Sequence, residues 1–148
     1  MEPEFVKLII KEATEAGLAA GNACVPTPMV VEAHQNMLDD NSPVVYREVV
    51  DDGVCGFAWI NFVANTPINK EFLKGLKLAK LVWTCKYQGP PPQDRRDYPF
   101  QSRIEGPGFQ HWVSMNTQSM QRKEAYAEAY AAVLKKYGIN CYVGSRLD

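Results

Sequence analysis

The sequence predicts an α+β fold: a ferredoxin-like split βαβ sandwich, with two helices on one face of an antiparallel sheet, plus an N-terminal helix and an extra hairpin strand. Three observations predict it. From Val54 onward the apolar pattern runs strand, helix, strand, strand, helix, strand, which is the order of that topology. Two β-prone runs, Val44 to Val50 and Val54 to Val63, flank Asp51-Asp52-Gly53, a strong hairpin signal. An amphipathic helical pattern precedes both. Many unrelated activities share this fold, so topology leaves function open.

Pro3 suits the first turn of a helix, where no amide hydrogen is needed. Phe5, Leu8, Ile9, Ala13 and Ala16 recur behind it at helical spacing, and Gly17 and Gly21 close the expected span near Ala20. Glu2, Glu4 and Glu12 lie toward the positive helix start. Pro26 and Pro28 then impose an extended path, followed by an ambiguous stretch to His34 and polar loop formers from Gln35 to Ser42. Within Val54 to Val63 apolar groups fall on both faces, as in a central strand covered on two sides.

Thr66-Pro67 caps and starts a second helix, with Ile68, Phe72, Leu76 and Ala79 on one face and Lys70, Lys74 and Lys77 on the other. Leu81 to Tyr87 is strand-like, and Gly89-Pro90-Pro91-Pro92 ends it in an extended stretch. Residues 89–108 form a long polar loop, of a length that leans functional or mobile. Phe109 to Met115 is the next strand, and Met120 to Tyr137 a helix stopped by Gly138, with Lys135 and Lys136 in its last turn. Ile139 to Val143 is the final strand.

The chain has 148 residues, 46% of them hydrophobic and 22% charged, enough for one domain with its own core. Residues 1–43 form its helix and extended segment, and residues 44–148 its hairpin and βαββαβ core. No apolar run approaches the roughly 18 residues of a membrane span. The Met-Glu-Pro-Glu-Phe start is acidic where a secretory signal would be basic. Cys24, Cys55, Cys85 and Cys141 form no C-x-x-C pair and read as reduced core thiols of a cytosolic protein.

The net charge of −1 conceals a division along the chain. Residues 1–69 hold 3 basic groups against 10 acids, residues 70–103 hold 8 against 3, and the remainder 5 against 4. Such a division fits an anionic partner for the middle segment, or solvated and mutually paired faces.

Three segments share a further likeness: Ala23-Cys-Val-Pro-Thr-Pro-Met-Val30, Asp52-Gly-Val-Cys-Gly-Phe-Ala-Trp59, and Gln118-Ser-Met-Gln-Arg-Lys-Glu-Ala-Tyr-Ala127 with Gly144-Ser-Arg-Leu-Asp148. Together they resemble a family of small proteins encoded by tailed bacteriophages and carrying no assigned activity. The likeness spans about the whole chain. It departs in the middle, where Tyr87-Gln-Gly-Pro-Pro-Pro-Gln93 replaces a glycine-rich Tyr-Tyr-Gly-Gly stretch. It implies phage origin and a host-cytoplasmic or virion setting, and it supplies no catalytic residue.

Groups for catalysis are sparse. His34 and His111 belong to no metal-binding spacing, and no Walker loop, dinucleotide fingerprint or nucleophile elbow occurs, so no metal or cofactor is implied. A Cys85 and His111 dyad oriented by Asp97 requires their strands to pair, and a buried thiol beside a strand histidine is the plainer reading. The start of the last helix is more distinctive. A helix N-terminus attracts anions, yet its first turn holds Arg122 and Lys123, with Asn116, Gln118 and Ser119 as neutral donors and Arg146 beyond the adjacent strand. That set suits a phosphate, a nucleotide or a partner's carboxylate, unless Glu105, Glu124 or Asp148 neutralises it internally.

Lys70, Lys74 and Lys77, with Lys80, Lys86, Arg95, Arg96 and Arg103, form a second cationic surface, interleaved with Trp83, Tyr87, Tyr98 and Phe100. Aromatic and basic groups together serve single-stranded nucleic acid, although an isoelectric point near 6.1 is unlike most such domains. The leading expectation is a non-enzymatic phage accessory protein that binds an anionic small molecule or an acidic host protein in the host cytoplasm. The alternatives are a self-associating virion docking subunit and a nucleic-acid binder; an enzyme ranks below them.

Overall fold

The computed structural model describes residues 1–84, 98–103 and 106–148. Within them the fold is α+β, with three helices and two sheets. The elements in chain order are α1 (Pro3–Ala23), β1 (Met29–His34), β2 (Val44–Val50), β3 (Gly56–Phe62), α2 (Pro67–Leu78), β4 (Val82–Trp83), β5 (Phe100–Ser102), β6 (Phe109–Trp112), α3 (Met120–Lys136) and β7 (Tyr142–Leu147). The larger sheet has five strands in the order β4-β5-β6-β3-β7. It is mixed: β3 is antiparallel to β6 and β7, β5 is antiparallel to β6, and β4 is parallel to β5.

The expected pairing of Val44–Val50 with the following strand does not form. The turn does: the Gly53 N–H donates to the Val50 carbonyl at 3.0 Å, with Gly53 at φ +73°. But both edges of β3 are taken, by β6 and β7. The residues just before β3 are taken as well, since Gly56 donates to the Gln118 carbonyl, Met120 donates to the Val54 carbonyl, and Cys55 bridges Ser119. β2 pairs backward instead, with β1, from Met29 opposite Val50 to His34 opposite Val44. Turn chemistry is local, whereas the choice of partner is settled by what else competes for each strand edge.

Three other elements differ from expectation. The sheet has a fifth strand, β5, drawn from the presumed polar loop because the Phe100 ring is fully buried against Phe62 and Phe72 at 5.2 and 5.9 Å. The last strand begins at Tyr142 rather than Ile139. Gly138, at φ +85°, ends α3, Ile139 N–H returns to the Leu134 carbonyl, and Asn140 N–H donates to Asn69 Oδ1 at 2.9 Å, so these residues finish the helix and dock on α2. Gly17 and Gly21 do not stop α1, which runs on to Ala23.

The buried stripe of α1 is Val6, Ile9, Ala13, Gly17 and Gly21, while Phe5 and Leu8 lie exposed. Along this stripe α1 packs on α3, and near Gly75 it meets α2. Thr66 caps α2 by accepting from the Asn69 N–H, and Ser119 caps α3 by accepting from the Arg122 N–H. The core lies between helices and sheet, where Ala58, Ile60 and Phe62 of β3 meet Tyr130, Leu134, Phe72 and Leu76. No described helix is long and apolar enough to cross a membrane.

Candidate functional site at the sheet edge

His111 faces the helices. It stacks on Tyr130 at 4.5 Å and on Tyr126 at 5.9 Å. Its Nδ1 lies 2.6 Å from the Pro99 carbonyl, which only accepts, so Nδ1 carries the proton and Nε2 accepts from the Tyr126 hydroxyl at 3.1 Å. Desolvation among these rings pushes the His111 pKa down to about 4 and raises the Tyr126 hydroxyl to about 12. Both ring nitrogens are engaged, and Cys85 and Asp97 lie outside the described residues, so the dyad receives no support from His111. Among the described residues no group of three His, Cys, Asp or Glu side chains gathers to hold a metal.

The other face of the sheet follows from the register. Ile60 sits opposite His111 on the helix side, so Trp59, opposite Trp112, points away from the helices, as do Phe57 and its cross-strand partner Arg146. Trp59 and Trp112 meet at 5.0 Å, and Phe57 abuts Trp112 at 5.9 Å. Gly144 lies under the Trp59 indole, where a Cβ would come within 2.4 Å of Nε1. Two cations flank Phe57: the Lys123 ammonium, 5.2 Å from the ring centroid, and the Arg146 guanidinium, at 5.5 Å.

A cavity of about 1250 Å³ opens at this edge. Phe57, Trp112, Lys123, Arg146 and Gln118 line it, with amides from Gln101 and Gln110 and the Tyr98 ring, and it extends to the helix side, where Ile10, Thr14 and Leu18 of α1 and the His111 and Tyr126 rings also line it. No family model, curated protein or solved structure matches the chain. What the cavity can hold is therefore read from its own groups: flat apolar surfaces for a ring, two cations for negative charge, and amides for polar edges.

The anion set expected at the start of α3 is divided. Gln118, Lys123 and Arg146 do converge on the cavity. Lys123 is buried, donating to the Gly56 carbonyl at 3.1 Å, so it is a fixed cation of the wall rather than a surface one. Ser119 is buried as the helix cap. Arg122 turns the other way, to the Gly21 and Asn22 carbonyls at 3.3 Å and to Asp52 at 3.7 Å, closing the C-terminus of α1. Asn116 lines a smaller cleft of about 450 Å³ beside Arg122 and Asp52. The neutralising partners are thus Asp52 and backbone carbonyls; Glu124 accepts from Ser145 instead, and Glu105 lies outside the described residues.

Lys70, Lys74 and Lys77 are exposed on α2, as expected, while Lys86, Arg95 and Arg96 lie outside the described residues. Phe100 is core rather than a stacking surface, and Trp83 packs edge-on against Tyr98 at 5.0 Å. Of the thiols expected in the core, Cys141 is buried, its pKa pushed up to about 11 by desolvation, but Cys24 is half-buried and Cys55 exposed. Phe57, Trp59 and Trp112 were not singled out in the sequence, although the period-two spacing of Phe57 and Trp59 carried the signal.

Proposed function

We propose that the protein is a non-enzymatic binding protein that holds an anionic ligand bearing a flat ring, a nucleotide being the simplest case, in the cavity at the sheet edge. One observation carries this reading: the Lys123 and Arg146 cations both lie within 5.5 Å of the Phe57 ring, with the Trp112 ring beside it. The ring of the ligand stacks on the aromatics and its phosphate meets Arg146 and the remaining N–H donors of Lys123. The order β7-β3-β6, with β4 beyond β5, supports reading the main unit as a ferredoxin-like sandwich with one inserted strand. The likeness to tailed-phage proteins supports an accessory role in the host cytoplasm.

The test is tryptophan fluorescence during titration with a nucleoside triphosphate and, separately, with inorganic phosphate. The nucleotide quenches the emission, and Arg146→Gln weakens its binding by about tenfold or more, about 1.4 kcal/mol, with the melting temperature nearly unmoved. No response to nucleotide at millimolar concentration rejects the reading. An acidic host protein seated on Lys70, Lys74 and Lys77 is the alternative partner, and it would leave Arg146→Gln silent. The exposed β1–β2 pair favours a second reading, a virion docking subunit, which stoichiometric copies in purified virions would support.

A further inference from the structure

β1 and β2 pair with each other and make no extensive contact with any other element. Every residue of β2 except Val50 is exposed, so neither of its faces is covered. Val30, Val31, Val44, Val45, Tyr46 and Val49 present their side chains to solvent, and at the tip Leu38 is 98% exposed. An isolated two-stranded ribbon is marginal in water, and apolar groups on both faces of one mark a surface that docks. The root of the ribbon is fixed: the Thr27 N–H donates to Gln121 Oε1, and Asp52 pairs with Arg122.

The charge of the ribbon identifies its partner. From Met29 to Asp52 it carries Glu32, Asp39, Asp40, Glu48, Asp51 and Asp52 against Arg47 as its one Lys or Arg. The outer face of α2 is the complement, with exposed Lys70, Lys74 and Lys77 bordered by the apolar side chains of Ile68 and Leu78, which are 44% and 60% exposed. Both halves stand on one chain whose net charge is only −1, so copies attract in this register without long-range repulsion.

We infer that the β1–β2 ribbon of one copy docks on α2 of a second copy, joining the molecules head to tail. Such an interface is heterologous, and it generates a ring or a filament according to its rotation. It does not involve the sheet-edge cavity, so it stands or falls independently of nucleotide binding.

Sedimentation across about 10 µM to 1 mM tests it, with two charge-reversed variants, Asp40→Lys/Glu48→Lys in the ribbon and Lys70→Glu/Lys74→Glu/Lys77→Glu in α2. The wild type gains mass with concentration, and salt weakens this association. Each variant associates at least about tenfold more weakly, and an equimolar mixture of the two recovers association, because each reversed surface then meets its complement. Circular dichroism confirms that both variants fold. A wild type that stays monomeric throughout overturns the inference. So does association that survives reversal of α2, which would seat the ribbon on another ribbon or elsewhere, or a mixture that fails to recover.

Discussion

At the scale of single residues, His111 makes the fold sensitive to acid. Desolvation among the aromatic rings pushes its pKa down to about 4 in the folded chain, although the half-buried ring also lines the cavity; unfolded, it returns to about 6.5. Between those values the unfolded chain binds a proton that the folded chain refuses, so stability falls as pH drops through this window and is untouched above it. The loss reaches about 3 kcal/mol at most. Urea titrations at pH 7, 5.5 and 4.5 check this, with His111→Gln flattening the trend while lowering stability at pH 7. A wild-type profile that is level from pH 6.5 to 4.5 would mean that water reaches the His111 ring through the cavity it lines. Arg122 teaches a related lesson. In the sequence it stands as an unneutralised cation at the wrong end of a helix, because the carbonyls and the carboxylate that satisfy it come from residues 21, 22 and 52.

At the scale of elements, local chemistry was legible and pairing was not. Pro3, Thr66-Pro67 and Gly138 placed helix ends to within a few residues, since capping depends on neighbours in sequence. The Asp-Gly turn was found and its pairing was wrong, because nothing local to Val44–Val50 states that β3 is enclosed by β6 and β7. The glycines of α1 were misread for a similar reason. A Cβ on Gly17 would come within 2.9 Å of the Tyr126 ring, so this glycine permits close approach of α1 to α3. Gly17→Ala gains about 1 kcal/mol of helix propensity and loses about 1–3 kcal/mol to overpacking. The net is about 0–2 kcal/mol of destabilisation, so the melting temperature falls by at most about 8 °C and does not rise, measurable by calorimetry. A raised value would mean that α1 and α3 do not meet closely along this stripe.

At the scale of the whole molecule, the α+β class was legible in the order of apolar patterns, while the mixed sheet was not. β5 supplies three residues whose only strong signal is Phe100, too short a run to announce itself amid polar neighbours. Half of the candidate site was visible as charge. Its aromatic half emerges only when β3, β6 and β7 align Phe57, Trp59, Trp112 and Arg146 across strands far apart in sequence. The charge division along the chain takes on spatial form here: an acidic ribbon at one extremity and a lysine-bearing helix elsewhere.

The start of α3, with the residue before its cap, stands between the two. Gln121 and Arg122 hold the root of the ribbon, while Gln118 and Lys123 form part of the cavity wall. Because Arg122 and Lys123 are neighbours in the chain, a substitution in this turn would disturb the ribbon root and the cavity wall together, whereas Arg146 and the outer ribbon each probe one alone.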